Sequence, residues 1–203
     1  MTKKTNFWLA AAKVFMMSVF ASIVSFMLNC LVVIMANKAF FDGEAVSVRI
    51  LMQVMELVVE LIFIYGVLWE IGHHDQRLCD LGQASYSPLR GMRIGLAAAI
   101  PYYLLAVVML LMVLDVLPDI TGLLRAAAAQ FWGIYTFLLP VEIGGDGQAV
   151  GVAFAKCIAT PLQASLAVLV PTIIPLLAHL PYFLGRRGIA IGERLLFTSK
   201  KKK

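Results

Sequence analysis

Four long apolar runs, at residues 14–36, 50–71, 94–117 and 162–184, limit what this chain can become more than any other feature. A helix crosses a hydrocarbon core of about 30 Å with about 20 apolar residues. Of the 203 residues, 61% are hydrophobic and only 14% charged, with a mean hydropathy of +0.88. A water-soluble fold of this length has no interior large enough to hide that surface. The expectation is an all-α integral membrane protein with four transmembrane helices. No internal repeat or compositional break divides it, so residues 1–203 read as a single polytopic membrane domain.

A formal net charge of +5 would suit a nucleic-acid partner if the basic residues lay on one soluble face. They lie instead at membrane edges. Lys3, Lys4 and Lys13 lead into the first run; Arg77, Arg90 and Arg93 separate the second from the third; Arg186, Arg187, Arg194 and Lys200 to Lys203 follow the fourth. Only Lys38, Arg49, Arg125 and Lys156 fall on the other side. Positive residues mark the cytoplasmic side, so both termini are expected in the cytoplasm, and the number of spans should be even. The setting read from this pattern is the plasma membrane, with no nucleic acid.

The even count bears on residues 123–140, LLRAAAAQFWGIYTFLLP, which resemble a fifth span. Arg125, Gln130 and the terminal Pro140 oppose a plain crossing, while Trp132 and Tyr135 favour the membrane-water boundary. The segment reads as an outer interfacial or re-entrant helix. A variant of that reading pairs 123–140 with 150–160 as two arms of a deeper hairpin. Residues 141–160, with Gly144, Gly145, Asp146 and Gly147, have the composition of a turn. At the N-terminus, the first run outlasts the roughly 7 to 15 apolar residues of a secretory signal, so an uncleaved first helix is expected. Cys30, Cys79 and Cys157 are odd in number and lie at unrelated depths, which implies no disulfide framework.

Glu56 and Glu60 are the most unusual residues. Four apart, they share one helical face, with Gln53 one turn earlier. Glu60 stands about ten residues into the second run, near the bilayer midplane at about 1.5 Å per residue. Ionisable groups at that depth usually face a bundle interior or an aqueous cavity. The sharp reading is a proton or cation site formed by Glu56, Glu60, Gln53 and Asn29. The plainer one is protonated carboxyls hydrogen-bonded to Asn29, Ser25 or a backbone carbonyl as helix glue. No Lys or Arg in the other runs reaches their depth, so a basic residue of another subunit is a further candidate partner.

After the second run, Glu70, His73, His74, Asp75, Cys79 and Asp80 include metal-binding types without metal-binding spacing. Adjacent histidines on a helix diverge, and no HExxH or CxxC is present, so neither metal nor cofactor is expected. The cluster reads as a solvated cap in which Asp75 and Asp80 pair with Arg77. Pro171, Pro175 and Pro181 bend the fourth run, as Pro101 bends the third, because proline removes a backbone donor and crowds the preceding turn. Broken helices often line transporter cavities, which makes Pro171, Pro175 and His179 candidate cavity-lining residues. Gly91 and Gly95 form a GxxxG that permits close helix packing. Arg186, Arg187, Lys200 and Lys201 belong to the basic tail 185–203 and are candidates for lipid headgroups, each contributing about 1 kcal/mol near an anionic leaflet.

No GxSxG, P-loop or HExxH is present, which makes a membrane-embedded enzyme the weakest of three functional readings. The strongest is a small subunit of a larger, transport-type membrane complex, with the Glu60 and Gly91 faces meeting another membrane subunit or a second copy. Between them stands a self-contained proton- or cation-coupled carrier or channel using Glu56 and Glu60.

Overall fold

The computed structural model describes residues 6–36, 46–83, 85, 87–142 and 156–190. It is a helical bundle with four helices long and apolar enough to cross a membrane. The first three are continuous: α1 (Phe7–Ala36), α2 (Val46–Asp80) and α3 (Arg90–Val113). α1 and α3 begin earlier than their apolar runs and α2 outruns its own at both ends, while α3 stops at Val113, short of residue 117. Polar residues such as His73, Asp75 and Gln76 carry α2 past its apolar run at no cost in backbone hydrogen bonding. Between α3 and the last span come two short helices, α4 (Thr121–Ala127) and α5 (Trp132–Leu138), joined by a 3-10 turn at Ala129–Phe131. The last span consists of α6 (Pro161–Ala167), a 3-10 turn at Val170–Thr172 and α7 (Ile173–Arg186).

Proline dictates the second of these breaks. Pro171 cannot donate to the carbonyl four residues back and its ring crowds that carbonyl, and α6 ends at Ala167, four residues before it. Thr172 then donates to the Leu169 carbonyl at 3.0 Å, the tighter spacing of a 3-10 turn. Pro101 and Pro181 are accommodated inside α3 and α7. At its start α6 carries a full capping box: Thr160 Oγ1 accepts from Gln163 N at 3.3 Å, and Gln163 Oε1 accepts from Thr160 N at 2.8 Å.

α7 packs most extensively against α2 and α3, and α1 completes the bundle against the same two helices. Small residues set these approaches. A Cβ at Gly95 would lie 2.6 Å from Ala178 Cβ and 2.7 Å from Pro175 Cα, and one at Gly91 would lie 2.5 Å from Tyr182 Cβ. The GxxxG face is therefore covered by α7 of the same chain. One hydrophobic cluster centres on Ile64, Leu68, Ile94 and Tyr182, and a second on Met109, Phe131, Tyr135 and Ile174. α5 leads into a two-residue antiparallel ladder, Val141–Glu142 (β1) with Lys156–Cys157 (β2). Asp119 ties this end together, accepting from Thr121 N at 3.0 Å and from Cys157 N at 2.6 Å. Burial pushes the Cys157 thiol upward from its ordinary value. Residues 156–160 are extended up to the cap of α6, and most of the second arm of the hairpin variant lies outside the described residues.

Candidate functional site

The bundle interior contains a seam of polar side chains. On α1, Ser18, Ser22, Ser25 and Asn29 are all buried and are spaced four, three and four apart, which aligns them along one helical face. On α2, Gln53, Glu56 and Glu60 repeat the pattern at three and four, and are buried as well. The two stripes face each other, and Gln130 of the 3-10 turn and Tyr102 of α3 join the seam, both buried. Ser22 lies about midway along α1 and Tyr102 about midway along α3.

Glu60 is fully buried and accepts a hydrogen bond from Ser18 Oγ at 2.6 Å through Oε1; its Oε2 has no protein partner. Glu56 occupies a different setting. Its Oε2 faces the backbone N–H of Gly133 at 3.4 Å, while Gln53 Oε1 accepts from Ile134 N at 2.8 Å and Gln53 Nε2 donates to the Gln130 carbonyl at 3.2 Å. Gly133 and Ile134 belong to the first turn of α5, whose N–H groups have no partner within the helix. Two α2 side chains thus cap a helix from a distant part of the chain, and a carboxylate suits that positive end. Asn29 lies beside Glu56, with its Nδ2 unpartnered.

Gln130 holds the turn against α1. Its Oε1 accepts a short hydrogen bond from Ser22 Oγ, and Ser22 Oγ lies 3.4 Å from Tyr102 OH. Gln130 Nε2, Ser25 Oγ, Asn29 Nδ2 and Glu56 Oε1 are buried without partners in the protein, as is Glu60 Oε2. Arg125, also buried, closes the other end of the α4–α5 pair: Nη1 donates to the Leu139 carbonyl at 3.0 Å and the guanidinium lies 4.9 Å from the Trp132 ring centre. Among the described residues, neither Glu56 nor Glu60 forms an ion pair.

A groove of about 650 Å³ opens between α1 and α3 beneath α4. Its lining is apolar apart from the Ser22 and Tyr102 hydroxyls. Pro101 belongs to that lining, whereas Pro171, Pro175 and His179 do not. Pro171 and Pro175 are buried in the bundle, Pro175 against Gly95. His179 is half-buried, its ring 6.3 Å from that of Phe183.

At the opposite end from the α4–α5 pair, the expected cap is rearranged. Asp75 pairs with Arg90 at 2.9 Å, not with Arg77, and Tyr182 OH donates to Asp75 Oδ2 at 2.9 Å. Arg77 lies off that contact, because residues two apart on a helix point away from each other. Asp80 accepts from Gln76 Nε2 at 2.7 Å. His73 stacks on Trp69 at 5.2 Å, and among the described residues no three His, Cys, Asp or Glu side chains converge on one point. Arg186 Nη2 donates to Gln76 Oε1 at 2.7 Å; Arg187 is exposed with its guanidinium 4.3 Å from the Phe183 ring centre. Lys200 and Lys201 lie outside the described residues.

Ser18, Ser22, Tyr102 and Gln130 extend the sequence-derived set of Glu56, Glu60, Gln53 and Asn29. The spacing of Ser18 and Ser22 ahead of Ser25 and Asn29 carried the signal for the α1 stripe. The chain matches no known protein family, no curated protein and no solved structure.

Proposed function

We propose that this chain is a proton- or cation-coupled membrane carrier in which Glu60 is the exchanging carboxyl and Glu56 holds the broken α4–α5 segment beside it. The observation that carries this reading is the setting of Glu60: full burial inside the chain's own bundle, one oxygen bound to Ser18, the other without a protein partner, and no cation paired with it among the described residues. Intramembrane acids that face a bundle interior mark ion and proton routes. Discontinuous helices beside them are the usual way for a membrane protein to bring backbone and side-chain ligands to mid-depth.

In this reading residues 121–138 form a re-entrant pair entering from the outer side of a plasma membrane, with both termini cytoplasmic. Support comes from the contact of Gln130 with Ser22, midway along α1, and from the placement of Lys and Arg under the positive-inside rule. A carrier is preferred to a subunit of a larger transport complex on the same grounds. An acid enclosed by its own chain needs no basic residue from a neighbour.

The test uses purified protein in liposomes loaded with a pH-sensitive dye, under imposed proton and Na⁺ or K⁺ gradients. Gradient-driven flux should appear with the wild type and disappear in Glu60→Gln, with thermal unfolding unchanged. Equal flux in Glu60→Gln, or no flux from folded wild-type protein under any gradient, rejects the reading.

A further inference from the structure

The groove between α1 and α3 differs in character from the seam behind it. Its mouth lies on surfaces turned away from the protein: Phe26 is 44% exposed and Leu104 63%. On helices of this hydropathy such surfaces meet lipid chains. The inner end is formed by Ser22 and Tyr102, 5% and 2% exposed, whose oxygens are 3.4 Å apart. Ser22 in turn bonds Gln130, which is fully buried behind it and outside the groove's lining. The volume falls within the range of small-molecule sites, about 300 to 1,000 Å³. No Asp, Glu, Lys or Arg lines it.

These features select the chemistry of an occupant. A molecule reaching the inner end must come through the hydrocarbon, so its body is apolar. Its inner end carries a hydrogen-bond donor, because the Ser22 hydrogen already goes to Gln130 or to the Ser18 carbonyl and the Tyr102 hydroxyl lies against Ser22, so what the site offers is oxygen lone pairs. It must also be uncharged, since no residue lining this low-dielectric groove carries a countercharge. We propose that the groove is a lateral entry site for a single-tailed membrane amphiphile with a neutral hydroxyl head, the tail lying between Phe26 and Leu104 and the head at Ser22 and Tyr102. That such a molecule is the carrier's substrate rests on the function proposed above; occupancy of the groove does not.

The experiment uses a long-chain alcohol bearing a diazirine and an alkyne, photolysed in phosphatidylcholine liposomes containing the full chain. Peptide mapping should concentrate the label on residues 15–26, 101–105 and 126–127. An unlabelled long-chain alcohol should compete, whereas an alkane of equal length should not. Ala127→Trp and Leu104→Trp, both on the rim, should abolish labelling and keep the wild-type unfolding temperature; Tyr102→Phe should weaken it. Label spread evenly over lipid-facing residues such as Ile62 and Leu176, or unaffected by either tryptophan, overturns the site. Glu60→Gln separates the two ideas. Groove labelling with flux retained in that variant removes the carrier and keeps the site, while Glu60-dependent flux with an unlabelled groove removes the site alone.

Discussion

Ser18 on α1 donates a hydrogen bond across 2.6 Å to Glu60 on α2, and both side chains are completely buried. One polar contact therefore joins the first two spans inside the bundle. Ser18→Ala should lower stability by roughly 1 to 2 kcal/mol, the range for a buried hydrogen bond to a carboxyl. Denaturant unfolding in detergent micelles measures this. An unchanged midpoint would mean that the contact contributes nothing.

Asp75 and Arg90 form a buried ion pair between α2 and α3, and Tyr182 of α7 donates to the same carboxylate. Removing one partner leaves a buried charge unpaired, which costs about 3 to 5 kcal/mol, whereas replacing the whole pair with apolar groups is often tolerated. Arg90→Leu should therefore unfold at markedly lower denaturant than Arg90→Leu combined with Asp75→Leu. A double variant as unstable as the single one would contradict this account.

At Gly95 the bundle has no room for a side chain, since a methyl group there would come within 2.7 Å of both Ala178 Cβ and Pro175 Cα. Gly95→Ala should force α3 from α7 and destabilise the protein by about 1 to 3 kcal/mol, as overpacking does. A stabilised Gly95→Ala, as helix propensity alone would give, would show that the helices separate freely.

Gln130 fixes the turn between α4 and α5 through Ser22, while its carbonyl accepts from Gln53. Gln130→Leu keeps the volume but removes this acceptor, leaving the Ser22 hydroxyl to the Ser18 carbonyl at 3.1 Å, at a cost of about 0.5 to 1.5 kcal/mol. Hydrogen exchange should rise across residues 128–138 and remain unchanged in α7. Uniform exchange across the chain would place the effect elsewhere.

The spans were legible because their signal is long and needs no partner: hydropathy alone locates four helices. The acid pair was legible for the same reason, as Glu56 and Glu60 stand out in an apolar run. The break at Ala128 was not. Residues 126–129 are all alanine, the best helix former, and no glycine or proline marks the turn; Gln53, Ser22 and Gln130 impose it through contacts between residues 77 and 108 positions apart. Gln130 argued in sequence only against a crossing, and nothing local revealed that it joins the seam. The partner of Asp75 was missed because Arg77 is nearer in sequence, whereas helix geometry favours Arg90 across the loop.

The central claim is that Glu60 exchanges a proton or cation with its surroundings, beyond joining two helices. Infrared difference spectroscopy on the reconstituted protein, stepping pH or the Na⁺ or K⁺ concentration, tests it without knowledge of the substrate. The wild type should give a carboxyl band that responds to the step and is missing in Glu60→Gln but retained in Asp75→Asn. A Glu60 carboxyl silent to pH and to both cations would make it structural glue and contradict the account.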